Sequence, residues 1–409
     1  MYKKAALALT LIVLFFATAS LATSLDRKKK AELYKQVELF SDTLAIVETD
    51  YVDEVKPKDA IYGALKGMLA SLDPHSQFMN PDDYDELKVD TEGKFGGLGI
   101  EISLKDDLLT IITPIEDTPA WKAGLKPGDR IVKINGEQTR GIDLSAAMKK
   151  LRGKPGEVVN LTILRESEKK LLEFKITRAI IKINDIKEVK ILEDGIGYLR
   201  MVEFREDTSR DFNLALEKLT KLKMKAFILD LRNNPGGLLE SALGVTGKFV
   251  PDGKLIAYTK GRKADQNLKF FASAKQPELD LPMVVLINEG SASGSEIVAG
   301  ALQDYKRAEI IGTKSFGKGS VQTVIPLSDG SALRLTTSKY FTPFGKVIHG
   351  KGVIPDIIVE NKDKESQDKE IIKEAGLKNK PEPALKTWDY KTDPQVMAAV
   401  NFLKNKAVK

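Results

Sequence analysis

Cysteine is absent from the 409 residues, and histidine occurs only as His75 and His349. Without cysteine there is no thiol nucleophile, no disulfide framework and no thiolate zinc site. Two histidines are too few for the usual zinc sites, and a Ser-His-Asp arrangement would have to use one of them. His75 stands in the polar turn Asp73-Pro74-His75-Ser76, far upstream of the serine-rich segment, and His349 stands among glycines. Both read as structural or surface residues. Tryptophan occurs twice, and no basic run is interleaved with aromatics, so nucleic acid is not an expected partner. The formal net charge of +6 is spread over interspersed acids and bases, apart from the short cluster Lys28-Lys29-Lys30, and reads as a solvated surface. A chain of 409 residues implies two or three domains, and 42% hydrophobic residues can fill their cores.

The amino terminus has the form of an export signal. Lys3 and Lys4 precede the apolar run Ala5 to Phe16, and both Ala17-Thr18-Ala19 and Ser20-Leu21-Ala22 fit a small-x-small cleavage site. The apolar stretch to Ala22 is near the lower limit for spanning a bilayer, so a cleaved signal and an uncleaved membrane anchor both fit. Either places residues 23–409 outside the cytoplasm.

The expected organisation is α+β and multidomain. Residues 27–90 form a helical region, in which Leu33, Val37, Phe40, Leu44 and Val47 recur at helical spacing, and a second helix runs from Lys58 to Leu72 until Asp73-Pro74 stops it. These stripes are expected to pack on another helix or a partner subunit. Residues 91–180 change to short strands and turns, with the run Gly97-Leu98-Gly99-Ile100, a glycine-stopped helix at Pro119 to Gly124, and the Asn135-Gly136 turn. Gly97 to Ile100, Ala123-Gly124-Leu125-Lys126-Pro127-Gly128-Asp129 and Ile134-Asn135-Gly136 together resemble a PDZ domain. By that resemblance the amides of Gly97, Leu98, Gly99 and Ile100 bind a peptide carboxylate, and the strand that follows pairs with an extended peptide. From 185 to 360 strands alternate with helices, which indicates an α/β layer with its site at strand ends. Ser320 to Ile325 and Ala332 to Phe341 read as a hairpin extension. Residues 361–409 read as a charged linker followed by a short amphipathic helix, Asp393 to Asn405, suited to a subunit contact.

What remains for covalent chemistry is hydroxyl and amine. Ser291, Ser293 and Ser295 lie among small residues after the apolar run Met283 to Ile287, in a strand-turn-helix pattern, and Lys318 lies between Gly317 and Gly319. A hydroxyl beside a desolvated lysine is a nucleophile with its base. Two other readings use the same lysine. Ser315-Phe316-Gly317-Lys318 is formally a Ser-x-x-Lys motif, but it sits in glycine-rich chain and lacks the partner motifs. Gly312 to Lys318 approaches a phosphate-binding loop, but Gly319 stands where Ser or Thr should hold magnesium.

The runs Asn288 to Gln303, Gly317 to Gln322, Asp230-Leu231-Arg232-Asn233-Asn234-Pro235-Gly236-Gly237 and Lys351 to Asp356 resemble, in the same order, the bacterial carboxy-terminal processing proteases. The resemblance covers nearly the whole chain. It implies a layered, crotonase-like or ClpP-like protease core and an exported serine endopeptidase that recognises the carboxy-terminal tails of proteins through its PDZ domain. It implies Ser293 as nucleophile, Lys318 as general base and Gln322 as the residue orienting the lysine. Gly294 would donate one oxyanion N–H and Gly236 or Gly237 the other, with Asp230, Arg232 and Glu296 as supporting charges. Glycine at 294 departs from the alanine frequent there but keeps the N–H. No metal or other cofactor is expected. Membrane anchoring, an activator protein and a homodimer or higher oligomer are left open, as is an inactive PDZ scaffold of the cell envelope.

Overall fold

The computed structural model describes residues 30–105, 108–166, 168, 170–273, 279–360 and 389–407. The export signal falls outside these residues, as does the linker at 361–388. Among the described residues no helix is long and apolar enough to cross a membrane. The chain divides into two units, residues 1–80 with 324–335, and residues 81–323 with 336–409.

In the first unit, residues 30–50 form a helix and Pro57–Ala70 a second, with proline in its first turn, where a missing N–H costs nothing. Asp73 ends this run by accepting the amides of His75 and Ser76 at 2.8 and 2.9 Å, which accounts for His75 as a turn residue. A short strand that the helical reading lacked, Gln77–Met79, pairs antiparallel with Ala332 to Arg334. The rings of Tyr62 and Phe78 meet at 4.7 Å. Leu33, Val37, Phe40 and Val47 on the first helix are exposed.

In the second unit the PDZ segment is an antiparallel sheet in the order Ile100–Lys105, Leu108–Pro114, Arg130–Ile134, Val158–Arg165, Lys170–Thr177. Alternate residues, among them Leu109, Ile111, Leu161 and Ile163, fill its core. Arg165 grips the buried Asp129 through two bonds of 2.8 and 2.7 Å. The chain enters and leaves this domain side by side, because Lys94–Gly97 pairs antiparallel with Ala179–Lys182.

The rest of the unit is built on a six-stranded sheet in the order Ile186–Ile191, Ile196–Met201, Ala226–Asp230, Met283–Ile287, Glu309–Gly312, Ile357–Ile358. All pairs but the first are parallel. Strands buried on both faces read as continuous apolar runs, and each face takes alternate residues. Phe227, Leu229, Val285 and Ile287 pack with Phe212, Val245 and Val298 from the helices Thr208–Lys221, Leu239–Thr246 and Gly294–Asp304. Ile228, Val284 and Leu286 pack on Val396, Ala399, Val400 and Leu403 of the last helix, Pro394–Ala407.

That last contact corrects an expectation. The carboxy-terminal helix is amphipathic because it covers the second face of its own sheet, not because it meets another subunit. Its amino-terminal end is tied down by Arg232, which bonds Asp393 at 3.0 Å and Gln395 at 2.9 Å. Leu403→Ala should therefore cost about 2–5 kcal/mol in urea unfolding of the single chain. A loss well below 1 kcal/mol would fit a dispensable subunit contact instead.

Candidate active site

Three loops leave the carboxyl ends of adjacent parallel strands, where open α/β sheets place their sites. They follow Asp230, Ile287 and Gly312. Side chains stitch them together. Buried Asn234 donates to Met201 O at 3.0 Å and accepts from Gly236 N at 2.9 Å, while its own carbonyl accepts Ala292 N at 3.0 Å and Ser295 Oγ at 2.9 Å. Asn288 Oδ1 accepts the amides of Asn233 and Gly290 at 2.8 and 3.1 Å.

Four serines were candidates, and the fold treats them differently. Ser291 Oγ donates to Leu231 O at 2.8 Å and Ser295 Oγ to Asn234 O. Ser315 Oγ donates to Glu296 at 2.5 Å and accepts Val353 N at 2.7 Å. All three are buried. Ser293 is half-buried, and its hydroxyl donates to no group among the described residues. It caps the helix Gly294–Asp304 with φ 51° and ψ −112°, a conformation L residues avoid and one typical of functional sites. That helix points its positive end at the same place, with the N–H of Gly294, which has no partner among the described residues.

The centre of the arrangement is Glu296, which is 1% exposed. Its Oε2 accepts Ser293 N at 2.9 Å and Lys318 N at 2.8 Å. Its Oε1 accepts Ser315 Oγ and Gly317 N, the latter at 2.7 Å. Two donors on one oxygen cannot lie further apart than the two bonds allow, so this carboxylate brings the backbones of Ser293 and Lys318 together. Burial pushes the Glu296 carboxyl above the ordinary carboxylate range, while its four hydrogen bonds pull it back. The glycines flanking the lysine let the loop lie directly on the segment Ile348 to Gly352. A Cβ on Gly319 would stand 2.2 Å from His349 N, and Gly350 N donates to Gly317 O at 2.9 Å.

Gly236 and Gly237 lie on the other side of the serine. Gly236 has φ 102°, and a Cβ there would stand 2.6 Å from Ser293 Cβ and 2.8 Å from Gly294 N. Its N–H is already bonded to Asn234, whereas the N–H of Gly237 has no partner among the described residues.

Other expected residues stand differently. Asp230 accepts Tyr198 OH at 2.7 Å and the Arg232 guanidinium, and Arg232 turns to Asp393 and Gln395. These bonds anchor the carboxy-terminal helix. The Gln322 amide donates to Ser320 Oγ at 2.9 Å and to Thr336 Oγ1 at 3.4 Å. Asn234, which no motif singled out, proves to join two of the loops. Its position in Asn233-Asn234-Pro235-Gly236 was the available signal, since Asn bonds its own chain two residues on.

The residues expected to bind a peptide share one cavity. Gly97, Leu98, Gly99 and Ile100 line a cavity of about 230 Å³ with Phe95, Met148 and Leu151. Among the described residues the amides of Leu98 and Gly99 have no partner, and Ile100–Lys105 is an edge strand paired on one side. Met148 and Leu151 come from the facing helix Leu144–Leu151.

Residues 195–359 match the family described as peptidase family S41, residues 110–165 a PDZ domain, and residues 15–83 the amino-terminal domain of the activating protease CtpB. A carboxy-terminal-processing protease of Bartonella bacilliformis is 46% identical over 352 residues, 84% of this chain and 80% of that protein. The carboxy-terminal processing protease CtpB of Bacillus subtilis is 36% identical over 336 residues, 81% of this chain and 70% of that one. Among solved structures, the photosystem II D1 C-terminal processing protease aligns at 30% identity over 79% of this chain and 92% of its own, with a TM-score of 0.46. Identity of this extent over most of both sequences is shared descent, and the chain belongs to the carboxy-terminal processing proteases of peptidase family S41, serine-type peptidases that carry a PDZ domain.

Proposed function

We propose that the chain is an exported endopeptidase that captures the carboxy-terminal tail of a protein substrate in its PDZ groove and cleaves it with a Ser293–Lys318 dyad. The observation that carries this reading is the single Glu296 oxygen bonded to the amides of both residues, beside three other serines whose hydroxyls are already committed. The run Lys3 to Ala22 supports export.

In this mechanism Ser293 Oγ attacks the scissile carbonyl and its proton passes to Lys318 Nζ, which acts as the free amine. The oxyanion is held by the N–H of Gly294 and, because Gly236 N–H is engaged, by that of Gly237. Each such donor is worth roughly 3 kcal/mol. The C–N bond breaks as Lys318 returns the proton to the departing amine. Water then attacks the acyl-enzyme, again losing its proton to Lys318, and Ser293 is regenerated. Gln322 orients Lys318 through its Oε1, which can accept from Nζ while the amide nitrogen stays bonded to Ser320 Oγ at 2.9 Å.

Ser293→Ala and Lys318→Ala should each lower kcat/KM on a tailed protein substrate by roughly 10³-fold or more. Ser315→Ala should instead lower stability by about 1–3 kcal/mol and keep turnover. Activity that survives Ser293→Ala and dies with Ser315→Ala would reverse the assignment. Glu296→Gln must turn an amide donor toward amides that now meet an oxygen, leaving at least one buried N–H unpaired; a fall in kcat of about 10–100-fold is expected, and wild-type kcat would remove Glu296 from the account. Ile100→Asp puts a charge against the expected carboxylate of the tail. KM for the tailed substrate should rise about tenfold or more, with little change for the same substrate lacking its tail. Equal effects on both would mean that the groove does not read the tail.

A further inference from the structure

Both connections of the PDZ domain meet at one side chain. Arg205 Nε donates to Asp90 O at 2.9 Å, on the chain entering the domain. A Cβ on Gly93 would stand 2.6 Å from Arg205 Cδ, so the entering backbone lies directly on this side chain. Arg205 Nη1 pairs with Asp185, on the chain leaving the domain, and Nη2 pairs with Glu203. Asp185 is 3% exposed and also accepts Thr208 Oγ1. The main chain of Arg205 is fixed as well, its N–H donating to Thr208 Oγ1 at 2.7 Å and its carbonyl accepting Ser241 Oγ at 2.5 Å.

The neighbouring residue, Phe204, is fully buried and touches both glycines assigned above as oxyanion donors. Its N–H donates to Gly236 O at 2.8 Å and its carbonyl accepts Leu238 N at 2.7 Å, which brackets Gly237. A Cβ on Gly237 would stand 2.0 Å from Phe204 O, and one on Gly294 would stand 3.2 Å from the Phe204 ring. Neither glycine can shift toward Phe204, and Phe204 cannot shift without Arg205.

We propose that Arg205 is a positioning residue for the oxyanion site, holding Phe204 between the two N–H donors while its guanidinium holds both connections of the PDZ domain. The proposal rests on the Ser293, Gly294 and Gly237 assignments above. A guanidinium with all its partners fixed by geometry is not replaced by an ammonium, which offers one point charge in place of a planar fork. Arg205→Lys keeps the charge and loses the fork, so the oxyanion donors move while the PDZ groove, which is remote in sequence and built on its own core, does not.

The test compares full-length wild type, Arg205→Lys and Glu203→Gln on a tailed peptide substrate, with thermal unfolding of each. Arg205→Lys should lower kcat about 10–100-fold, approaching the loss of one oxyanion donor, with KM changed less than threefold. Affinity for a peptide boronate, whose tetrahedral adduct occupies the oxyanion site, should weaken by the same factor as kcat/KM. Affinity of the uncleaved tail peptide for Ser293→Ala should be unchanged when Arg205→Lys is added. A fall in kcat/KM that comes from KM and tail affinity, or boronate binding that does not follow kcat/KM, overturns the proposal, as does a folded Arg205→Lys protein with wild-type kcat. Should Arg205→Lys not fold, Glu203→Gln carries the same test. It leaves the bonds to Asp90 and Asp185, so a lowered kcat at constant KM and weaker boronate binding support the proposal, and wild-type values overturn it. Full activity in Ser293→Ala would refute the underlying assignment separately, whatever Arg205 does.

Discussion

Everything in the catalytic half of this molecule hangs on one buried carboxylate. Glu296 is removed from water, which raises the free energy of its charge, and four hydrogen bonds from two segments of chain offset that cost. The relation works both ways. The carboxylate needs the serine turn and the lysine loop together, because either alone leaves an oxygen of a buried ion short of donors. The two loops need the carboxylate because each presents amides that no strand or helix satisfies. The backbones of Ser293 and Lys318 are thus brought together by the requirement that a buried charge be fully bonded.

The strain at Ser293 fits the same balance. A serine at φ 51° costs on the order of 1–3 kcal/mol, and it persists because the turn is over-determined. Glu296 holds the residue's own amide, Asn234 holds the amide before it, and Ser291 is bonded on both sides. Ser291 and Ser295 donate to carbonyls, whereas the Ser293 hydroxyl donates to no group among the described residues.

Much of the fold was legible from local pattern. Met283–Ile287 was bounded correctly by its apolar run, and the change to short strands and turns marked the PDZ segment; setting cysteine and histidine aside left several serines beside Lys318, and only the family resemblance chose Ser293 among them. What escaped lies in pairings between distant segments. Asp230 and Arg232 looked like site charges because they adjoin the glycine run, but their partners Tyr198, Asp393 and Gln395 come from elsewhere in the chain. The amphipathic carboxy-terminal helix announced that one face is covered, and periodicity cannot say by what. The choice between Gly236 and Gly237 depends on which backbone N–H is already bonded, and two adjacent glycines are identical in that respect until the Asn234 side chain is placed. Glu296 could be suspected from its place three residues into a helix, as a capping-box acid, but its second pair of donors comes from the lysine loop.

The antiparallel ladder Lys94–Gly97 with Ala179–Lys182 has a consequence for how such a chain can change over time. Because the two ends of the peptide-binding domain run against each other, the catalytic layer sees the whole domain as a single short excursion. Closing that excursion costs the same few kcal/mol of chain entropy almost regardless of how much polypeptide lies beyond the ladder. A cassette mounted on such a stem can be lengthened, pruned or exchanged for another recognition domain without altering the register of the strands beneath it. Selection can then retune what is recognised while leaving the chemistry alone.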